Sequence, residues 1–280
     1  RSIVGSEMCI CDRGAAARLA GCKWVWVKKN MNWFGSSNKY WRLRTLFAHR
    51  VSVENNYFKE VFFKNVPKVL FNPISIDTDE FYPRQKDKNL LRELGLTEND
   101  KIILSLSNMN SRKSIETLIE AIRILRDKGI CDFKCIIKGG GDPEYIQRMK
   151  DLANEYGLDS LVTFIGPSFD TFRYYSIADL FVITSVSEAG PATVLESMAS
   201  GVVTLGTKVG GMLDRLAEFP EQLCEPGNPE ELSEKINRFL HLTQDEKDMI
   251  VKREVDVVRK HFSLADEIKR HTHLYEELVK

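Results

Sequence analysis

Two glutamates flank a short turn in the segment "SEAGPATVLES", which spans residues 187–197. Glu188 lies in the turn, Glu196 lies eight positions later, and Gly190 and Pro191 stand between them. The preceding run "DLFVITS" is typical of a buried strand, and Pro191 favours the start of a helix. Because carboxylates accept hydrogen bonds from paired hydroxyls and a helix start presents free N–H groups, the segment is suited to a ligand that carries hydroxyl and phosphate groups.

Two further loops carry residue types that bind phosphates. Arg112 and Lys113 lie in "NMNSRKS" (108–114), after a predicted strand, and are cations suited to a diphosphate. "KGGGDP" (138–143) follows the next strand and offers Gly139 to Gly141, although a plain turn is an equally good interpretation. Since two glutamates alone are usually surface residues, the prediction of a site depends on all three loops meeting at the carboxyl edge of one parallel sheet.

Alternating secondary structure supplies that sheet. From residue 101 onward, short apolar runs alternate with longer segments of helical periodicity, which is typical of a parallel sheet covered by helices. The predicted strands span 101–107, 133–139, 161–166, 179–185 and 202–207, and the predicted helices span 114–129, 143–157 and 192–200. The first eighty residues show the same alternation, with predicted strands at 22–29, 49–55 and 68–72 and predicted helices at 38–48 and 56–64.

A polar, proline-containing stretch at 77–89 divides these two parts. We therefore predict a partial N-terminal Rossmann-like domain over 1–84 and a second Rossmann-like domain over 85–262. Residues 263–280 form a predicted amphipathic helix with Ser263 as its N-cap. The fold class is α/β.

Composition and charge exclude several classes of protein. The chain has 280 residues, 29% charged residues and a formal net charge of zero, so no general attraction to nucleic acid or membrane is expected. No apolar run approaches the ~20 residues of a membrane-spanning helix. The six cysteines lack paired metal-ligand spacing, which favours reduced thiols in a cytoplasmic compartment. The chain begins at Arg1, which favours a fragment of a longer protein.

In their order along the chain, these motifs resemble the family 4 retaining glycosyltransferases of the GT-B fold. The similarity rests on "SVSEAGPATVLESMASG", on "VVTLGTKVGG", on "IKGGGDPE" and on "LFNPISIDTDEFYP". It implies two Rossmann-like parallel-sheet domains, of which the N-terminal one is incomplete here, and a terminal helix that crosses back to the first domain. It covers residues 69–280 and is faint before them.

The resemblance also implies a role for each residue of the loops. Glu188 would face a donor sugar and Glu196 would hold a ribose, while Lys113 and Arg112 would stabilise a departing diphosphate. In the family an arginine usually stands five residues before the lysine, and here that position is Asn108. Further donor contacts are expected from Ala189, Gly190, Pro191, Ala192, Thr193, Val194, Leu195, Asn108, Gly139, Gly140 and Gly141.

The implied activity is transfer of a sugar from a nucleoside diphosphate-sugar to an acceptor hydroxyl with retained anomeric configuration. The acceptor would be a glycan, a lipid-linked compound or a small molecule, with no cofactor, no metal and no nucleic acid partner. The first alternative is a nucleotide-sugar-binding fragment or subunit without transferase activity of its own. The second is an epimerase or synthase of related fold, whereas a dehydrogenase would need a third glycine in "GGGDPE".

Three other motifs have competing interpretations. "DTD" (77–79) resembles a metal signature of a different glycosyltransferase fold, but its position in the linker favours the connection to the second domain. "NKYWRLRTLF" (38–47) mixes cations with aromatics and fits peripheral membrane contact, yet a helix that covers the sheet is the better interpretation. "KKNMNW" (28–33) is expected to face the interdomain cleft, where a simple loop is favoured over acceptor contacts.

Overall fold

The computed structural model describes residues 16–28 and 41–279 and contains two parallel sheets. In the first, β1 (Val25–Lys28), β2 (Arg50–Val53) and β3 (Val69–Phe71) lie in the order β1-β2-β3. The helices α1 (Trp41–Phe47) and α2 (Asn56–Val61) connect them. The three predicted strands of the first part are confirmed, whereas most of "KKNMNW" lies outside the described residues.

The second sheet has six strands among the described residues, in the order β6-β5-β4-β7-β8-β9. They are β4 (Lys101–Leu106), β5 (Phe133–Lys138), β6 (Val162–Ile165), β7 (Leu180–Val182), β8 (Val203–Thr207) and β9 (Leu223–Cys224). The helices are α3 (Lys88–Glu93), α4 (Ile115–Asp127), α5 (Pro143–Glu155), α6 (Thr171–Ile177), α7 (Ala192–Ala199), α8 (Met212–Arg215), α9 (Pro229–Leu240), α10 (Gln244–His261) and α11 (Leu264–Val279). The predicted α/β fold with two parallel sheets is confirmed.

Strand order places the site-forming loops at one edge of the second sheet. The order reverses between β4 and β7, which pair in parallel at the centre of the sheet. Such a reversal opens a crevice at the carboxyl ends of the two strands, where ligands of α/β proteins bind. The loops 107–114, 139–142, 183–191 and 208–211 leave β4, β5, β7 and β8 at this edge.

The end of β7 differs from the sequence-based prediction, whereas the start of α7 agrees with the predicted helix at 192–200. β7 ends at Val182 and not at Ser185, and the side chain of Thr184 bonds the Lys113 carbonyl of the 107–114 loop while that of Ser185 bonds Glu188 in its own loop. α7 begins at Ala192, and Pro191 is the extended residue before it, with φ −67° and ψ 131°. The loop that carries Glu188 is therefore longer than predicted.

The two domains are joined by two chain crossings that contact each other. Ile76, in the linker, pairs with Ser263 in a parallel bridge. The Ile76 N–H donates to the Phe262 carbonyl at 3.0 Å, and the Leu264 N–H donates to the Ile76 carbonyl at 3.0 Å. α11 then packs along the first domain, where Arg270 Nε donates to Asn72 Oδ1 at 2.9 Å.

α10 contributes a buried carboxyl to the core of the second domain. Glu254 is fully buried, and its Oε1 accepts hydrogen bonds from Gln222 Nε2 at 2.6 Å and from the Thr204 N–H at 3.2 Å. Burial raises the pKa of Glu254 to about 8, against the lowering effect of these two donors. The group is therefore neutral in the folded protein at neutral pH.

We expect this carboxyl to make the free energy of unfolding fall as pH rises from about 4.5 to about 8. In that window the unfolded chain has lost the proton that folded Glu254 retains. The free energy of unfolding therefore falls with rising pH, by at most about 1.4 kcal/mol per pH unit. Urea denaturation across this pH range would measure it. Glu254→Gln keeps the acceptor oxygen but cannot titrate, and a variant with the same slope as the wild type would contradict the assignment.

Candidate functional site

The loops 107–114 and 183–191 are joined by an ion pair at the centre of the carboxyl edge. Lys113 Nζ contacts Glu188 Oε1, and the same oxygen accepts a hydrogen bond from Ser185 Oγ at 2.6 Å. The side chains of Lys113 and Glu188 are 18% and 11% exposed, so the pair is open to the crevice but poorly hydrated. A cation and an acceptor carboxylate thus lie side by side where a ligand can separate them.

Main-chain contacts hold these two loops in register. Thr184 Oγ1 donates to the Lys113 carbonyl at 2.9 Å, and the Val186 N–H donates to the Arg112 carbonyl at 2.8 Å. Ser114 follows in a left-handed conformation, with φ 47°, and starts α4. Lys113 is therefore positioned by its backbone, whereas the Arg112 side chain is exposed to solvent.

Glu196 lies one turn into α7 and faces Tyr175 of α6. The Tyr175 hydroxyl donates to Glu196 Oε2 at 2.9 Å and to the Thr193 carbonyl at 3.2 Å. Burial raises the pKa of Glu196, the Tyr175 hydrogen bond lowers it, and nearby Glu80 raises it further. The carboxylate keeps a second oxygen for a ligand hydroxyl, and Tyr175 was not found from the sequence because it lies 21 residues away in another helix.

The start of α7 presents its N–H groups toward the same crevice. The first N–H groups of a helix have no acceptor within it, and Pro191 provides no side-chain cap. Ala192 and Thr193 are half-buried here, as is Ala189 in the loop before them. These N–H groups are suited to bind the oxygens of an anionic ligand.

Val194 and Leu195 require a correction. Both side chains are fully buried in the core beneath α7. Their side chains therefore face away from the crevice, because apolar groups at these helix positions pack against the sheet. Of the two backbone N–H groups, only that of Val194 lies among the N–H groups of the first turn that have no acceptor within the helix.

Two of the three glycines in the 139–142 loop, Gly139 and Gly141, allow close backbone packing. A Cβ on Gly141, where φ is 145°, would lie 2.1 Å from the Met109 carbonyl oxygen, and a Cβ on Gly139 would lie 1.9 Å from that of Ser107. The Met109 N–H donates to the Gly140 carbonyl at 2.7 Å. The glycines are needed because this loop bonds directly to the 107–114 loop.

This packing leaves a shallow cavity beside the two loops. Its lining includes Asn108, Gly140 and the buried Lys138, with Pro167 opposite them. Lys138 Nζ donates to the Gly166 carbonyl at 2.9 Å and lies 4.3 Å from the ring centroid of Tyr174. The sequence-predicted residues Asn108 and Gly139 to Gly141 are thus brought together, next to the Lys113 loop.

The first domain reaches the 183–191 loop through the end of β2. Asn55 Nδ2 donates to the Ala189 carbonyl at 2.6 Å, while Asn55 Oδ1 caps α2 by accepting from the Phe58 N–H at 2.9 Å. Next to it, Asn56 donates to Asp214 through its N–H at 2.8 Å and through Nδ2 at 2.9 Å. These contacts were not predicted, although an Asn before an amphipathic run is a recognisable N-cap signal.

Metal-ligating groups are not clustered in the described part of the chain. Over residues 16–28 and 41–279 no group of three His, Cys, Asp or Glu side chains could hold a metal ion. In "DTD", Asp77 Oδ1 accepts a hydrogen bond from the Asp79 N–H at 2.8 Å, which stabilises a turn of the linker. Within the same described residues, no helix has the length and apolar character to cross a membrane.

Comparison with curated proteins finds glycosyltransferases. The putative teichuronic acid biosynthesis glycosyltransferase TuaC of Bacillus subtilis is 28% identical over 214 residues, which cover 74% of this chain and 50% of that protein. The lipopolysaccharide 1,2-N-acetylglucosaminetransferase of Salmonella typhimurium is 29% identical over 173 residues, covering 58% of this chain and 45% of that protein. The chain spans about half the length of the curated relatives it matches.

Solved structures with the same fold are glycosyltransferases of the GT-B class, as predicted. Anabaena Alr3699/HepE in complex with UDP superposes with a TM-score of 0.85 at 17% identity, covering 97% of this chain and 77% of that one. Sucrose-phosphate synthase from Thermosynechococcus elongatus gives 0.76 at 22% identity, covering 95% and 71%. The profile of glycosyl transferases group 1 matches residues 86–254, which hold the three loops of the site. The chain therefore belongs to the glycosyl transferases group 1 family.

Proposed function

We propose that this protein transfers a sugar from a nucleoside diphosphate-sugar to an acceptor hydroxyl with retention of anomeric configuration. The observation that carries the proposal is the meeting of Lys113, Glu188 and the start of α7 at the point where strand order reverses. A cation, an acceptor for sugar hydroxyls and a row of N–H groups are what such a donor requires. The acceptor is proposed to be a glycan, a lipid-linked compound or a small molecule.

In this proposal the donor separates the Lys113–Glu188 pair. Lys113 turns to the diphosphate, whose charge grows as the bond to the sugar breaks, and Glu188 receives sugar hydroxyls in its place. Both groups are already oriented by hydrogen bonds, from Thr184 to the Lys113 carbonyl and from Ser185 to the Glu188 carboxylate, so little reorganisation is needed. Two structural neighbours support a nucleotide donor, because Anabaena Alr3699/HepE was solved in complex with UDP and with UDP-glucose.

Glu196 is proposed to hold the ribose of the donor. We expect Glu196→Ala to weaken donor binding by about 10- to 100-fold, because the substitution removes the hydrogen bonds between the ribose and a charged group. Isothermal calorimetry with UDP and UDP-glucose would measure it. Glu155→Ala, an exposed glutamate at the end of α5, is the matched control. Unchanged donor affinity in Glu196→Ala would contradict the proposal that Glu196 binds the ribose.

Two measurements separate the proposed activity from its alternatives. A thermal-shift panel of nucleoside diphosphate-sugars tests donor binding, since a ligand of the folded state raises the melting temperature. Incubation of the binding donor with acceptor mixtures, followed by NMR of the product anomer, tests transfer and retention. Binding without any product would favour a nucleotide-sugar-binding subunit, and a product of inverted configuration would contradict retention.

A further inference from the structure

Charge is distributed unevenly between the two domains, although the chain as a whole is neutral. Residues 1–72 contain thirteen Lys and Arg but only four Asp and Glu, so the rest of the chain carries the balancing excess of acidic groups. A domain with such an excess of one sign attracts partners of the opposite charge. The net charge of zero therefore does not describe the first domain by itself.

Three cations of this domain lie at the edge of its parallel sheet where the strands begin. Lys23 stands shortly before β1, Lys68 stands directly before β3, and Arg18 precedes both along the chain. Arg18 Nε donates to the Phe47 carbonyl at 3.0 Å, and Lys68 Nζ donates to the Ala48 carbonyl at 2.8 Å. Because the end of a short helix supplies only a partial negative charge, these bonds position the two cations without neutralising them.

His49, at the start of β2, lies among the three cations. Its Nδ1 accepts a hydrogen bond from the Trp24 N–H at 3.0 Å. Burial lowers the pKa of His49, and the charges of Arg18, Lys23 and Lys68 lower it further. All three cations are therefore within electrostatic reach of one point at this edge. Among the described residues, none of them forms an ion pair with a carboxylate.

Two leucines are exposed beside these cations. Leu19 follows Arg18 and is 90% exposed, and Leu46, near the end of α1, is 66% exposed. Lys68 Nζ also donates to the Leu46 carbonyl at 3.3 Å, so a cation and an exposed leucine meet at that helix end. Single exposed leucines are common on protein surfaces, but here each of the two adjoins a cation. We call Arg18, Leu19, Lys23, Leu46 and Lys68 the basic patch.

We propose that the basic patch binds the surface of a membrane that contains anionic lipids. Its cations would lie at the level of the lipid phosphates, and the side chains of Leu19 and Leu46 would enter the boundary between head groups and acyl chains. Nucleic acid is the other large polyanion, but its binding sites add aromatic side chains on which bases stack. The patch pairs its cations with aliphatic side chains, which favours a lipid surface.

The basic patch lies away from the proposed donor site. It is at the edge where the strands of the first sheet begin, whereas the opposite end of β2 faces the second domain, where Asn55 contacts the Ala189 carbonyl. Binding at the patch would therefore not occupy the crevice. The proposal does not depend on the proposed function.

Sedimentation of the whole chain with lipid vesicles tests the proposal. We expect binding to vesicles of phosphatidylcholine and phosphatidylglycerol in equal parts, and about tenfold weaker binding or less to phosphatidylcholine alone. Each cation at an anionic surface contributes about fivefold in affinity, so Arg18→Gln combined with Lys23→Gln should weaken binding by about 20-fold. Arg148→Gln combined with Lys150→Gln removes the same charges from the exposed side of α5 and should bind like the wild type.

Three outcomes of this comparison would overturn the proposal. They are no binding of the wild type to the anionic vesicles, equal binding to the two kinds of vesicle, and equal losses in the two double variants. Because Arg18 has a hydrogen bond to lose, Lys23→Glu repeats the test at a position without one among the described residues. It should weaken vesicle binding by about tenfold or more with the melting temperature unchanged.

Leu19→Ser combined with Leu46→Ser separates a lipid surface from other polyanions. This variant keeps every charge of the patch and should weaken vesicle binding by about fivefold or more. Wild-type binding in it, or binding of an RNA oligonucleotide through Arg18 and Lys23 in place of vesicles, would assign the patch to another polyanion and overturn the membrane site. The thermal shift with UDP should be the same in all these variants, and it reports separately on the proposed function.

Discussion

Replacing Lys113 by methionine is expected to lower the turnover rate of sugar transfer by about 10²- to 10³-fold. The ammonium group is held at the crevice by Glu188, while Thr184 fixes the backbone of Lys113, and there it would neutralise the charge of the departing diphosphate. Removal of one preorganised group that stabilises transition-state charge typically costs this much. Methionine keeps most of the unbranched side chain and removes its positive charge. Steady-state kinetics with the donor found in the thermal-shift panel would measure it.

Arg112→Met is the matched control for this experiment. Arg112 precedes Lys113 and has the same charge, but its side chain is exposed and its carbonyl makes the contact to Val186. We expect a loss of less than tenfold. Equal losses in the two variants would mean that the loop acts through its general charge, and a larger loss in Arg112→Met would assign the diphosphate to Arg112.

Gly211→Ala is expected to destabilise the fold by about 1–3 kcal/mol and to abolish donor binding. A Cβ at this position would lie 1.9 Å from the Ala189 carbonyl oxygen and 2.8 Å from the Gly190 Cα. These are backbone atoms that cannot rotate away. The Gly211 N–H also donates to the Glu188 carbonyl at 3.0 Å, so the methyl group would displace the loop that carries Glu188. Urea denaturation and calorimetry with UDP would measure the two effects.

Gly166→Ala provides the comparison, since a Cβ there meets nothing within 4 Å. Its effect on stability should stay within about 0.5 kcal/mol, as for most surface substitutions. If Gly211→Ala retained wild-type stability and donor affinity, the 183–191 loop would not depend on its contact with the 208–211 loop.

The longer helices and strands could be predicted because the spacing of apolar residues in each agrees with the side chains that it buries in the folded protein. The predicted helix at 114–129 corresponds to α4, whose apolar residues Leu118, Ile119 and Ile122 are all fully buried. The predicted end of β7 is wrong because Thr184 and Ser185 fit a strand as well as a loop, and their bonds to the Lys113 carbonyl and to Glu188 cannot be read from the local sequence. The error therefore lies where tertiary hydrogen bonds override local preference.

The sequence indicates which residues form the candidate site, but not which of their side chains contact one another. Glu188 and Lys113 are 75 positions apart, and nothing local indicates that they form an ion pair. Val194 and Leu195 were placed at the ligand because the resemblance covers the whole segment, yet their apolar character already favours the core. Arg215, between Asp214 and Leu216, has the pattern of a surface residue, and it is buried by tertiary packing that includes the ring of Phe262.

The bridge between Ile76 and Ser263 has a mechanical consequence. Two independent linkers would let the domains bend and twist separately, but here both crossings are hydrogen-bonded to each other through Ile76. Bending of either crossing would therefore have to break these hydrogen bonds or carry the other crossing with it, so the two crossings form one mechanical connection between the domains.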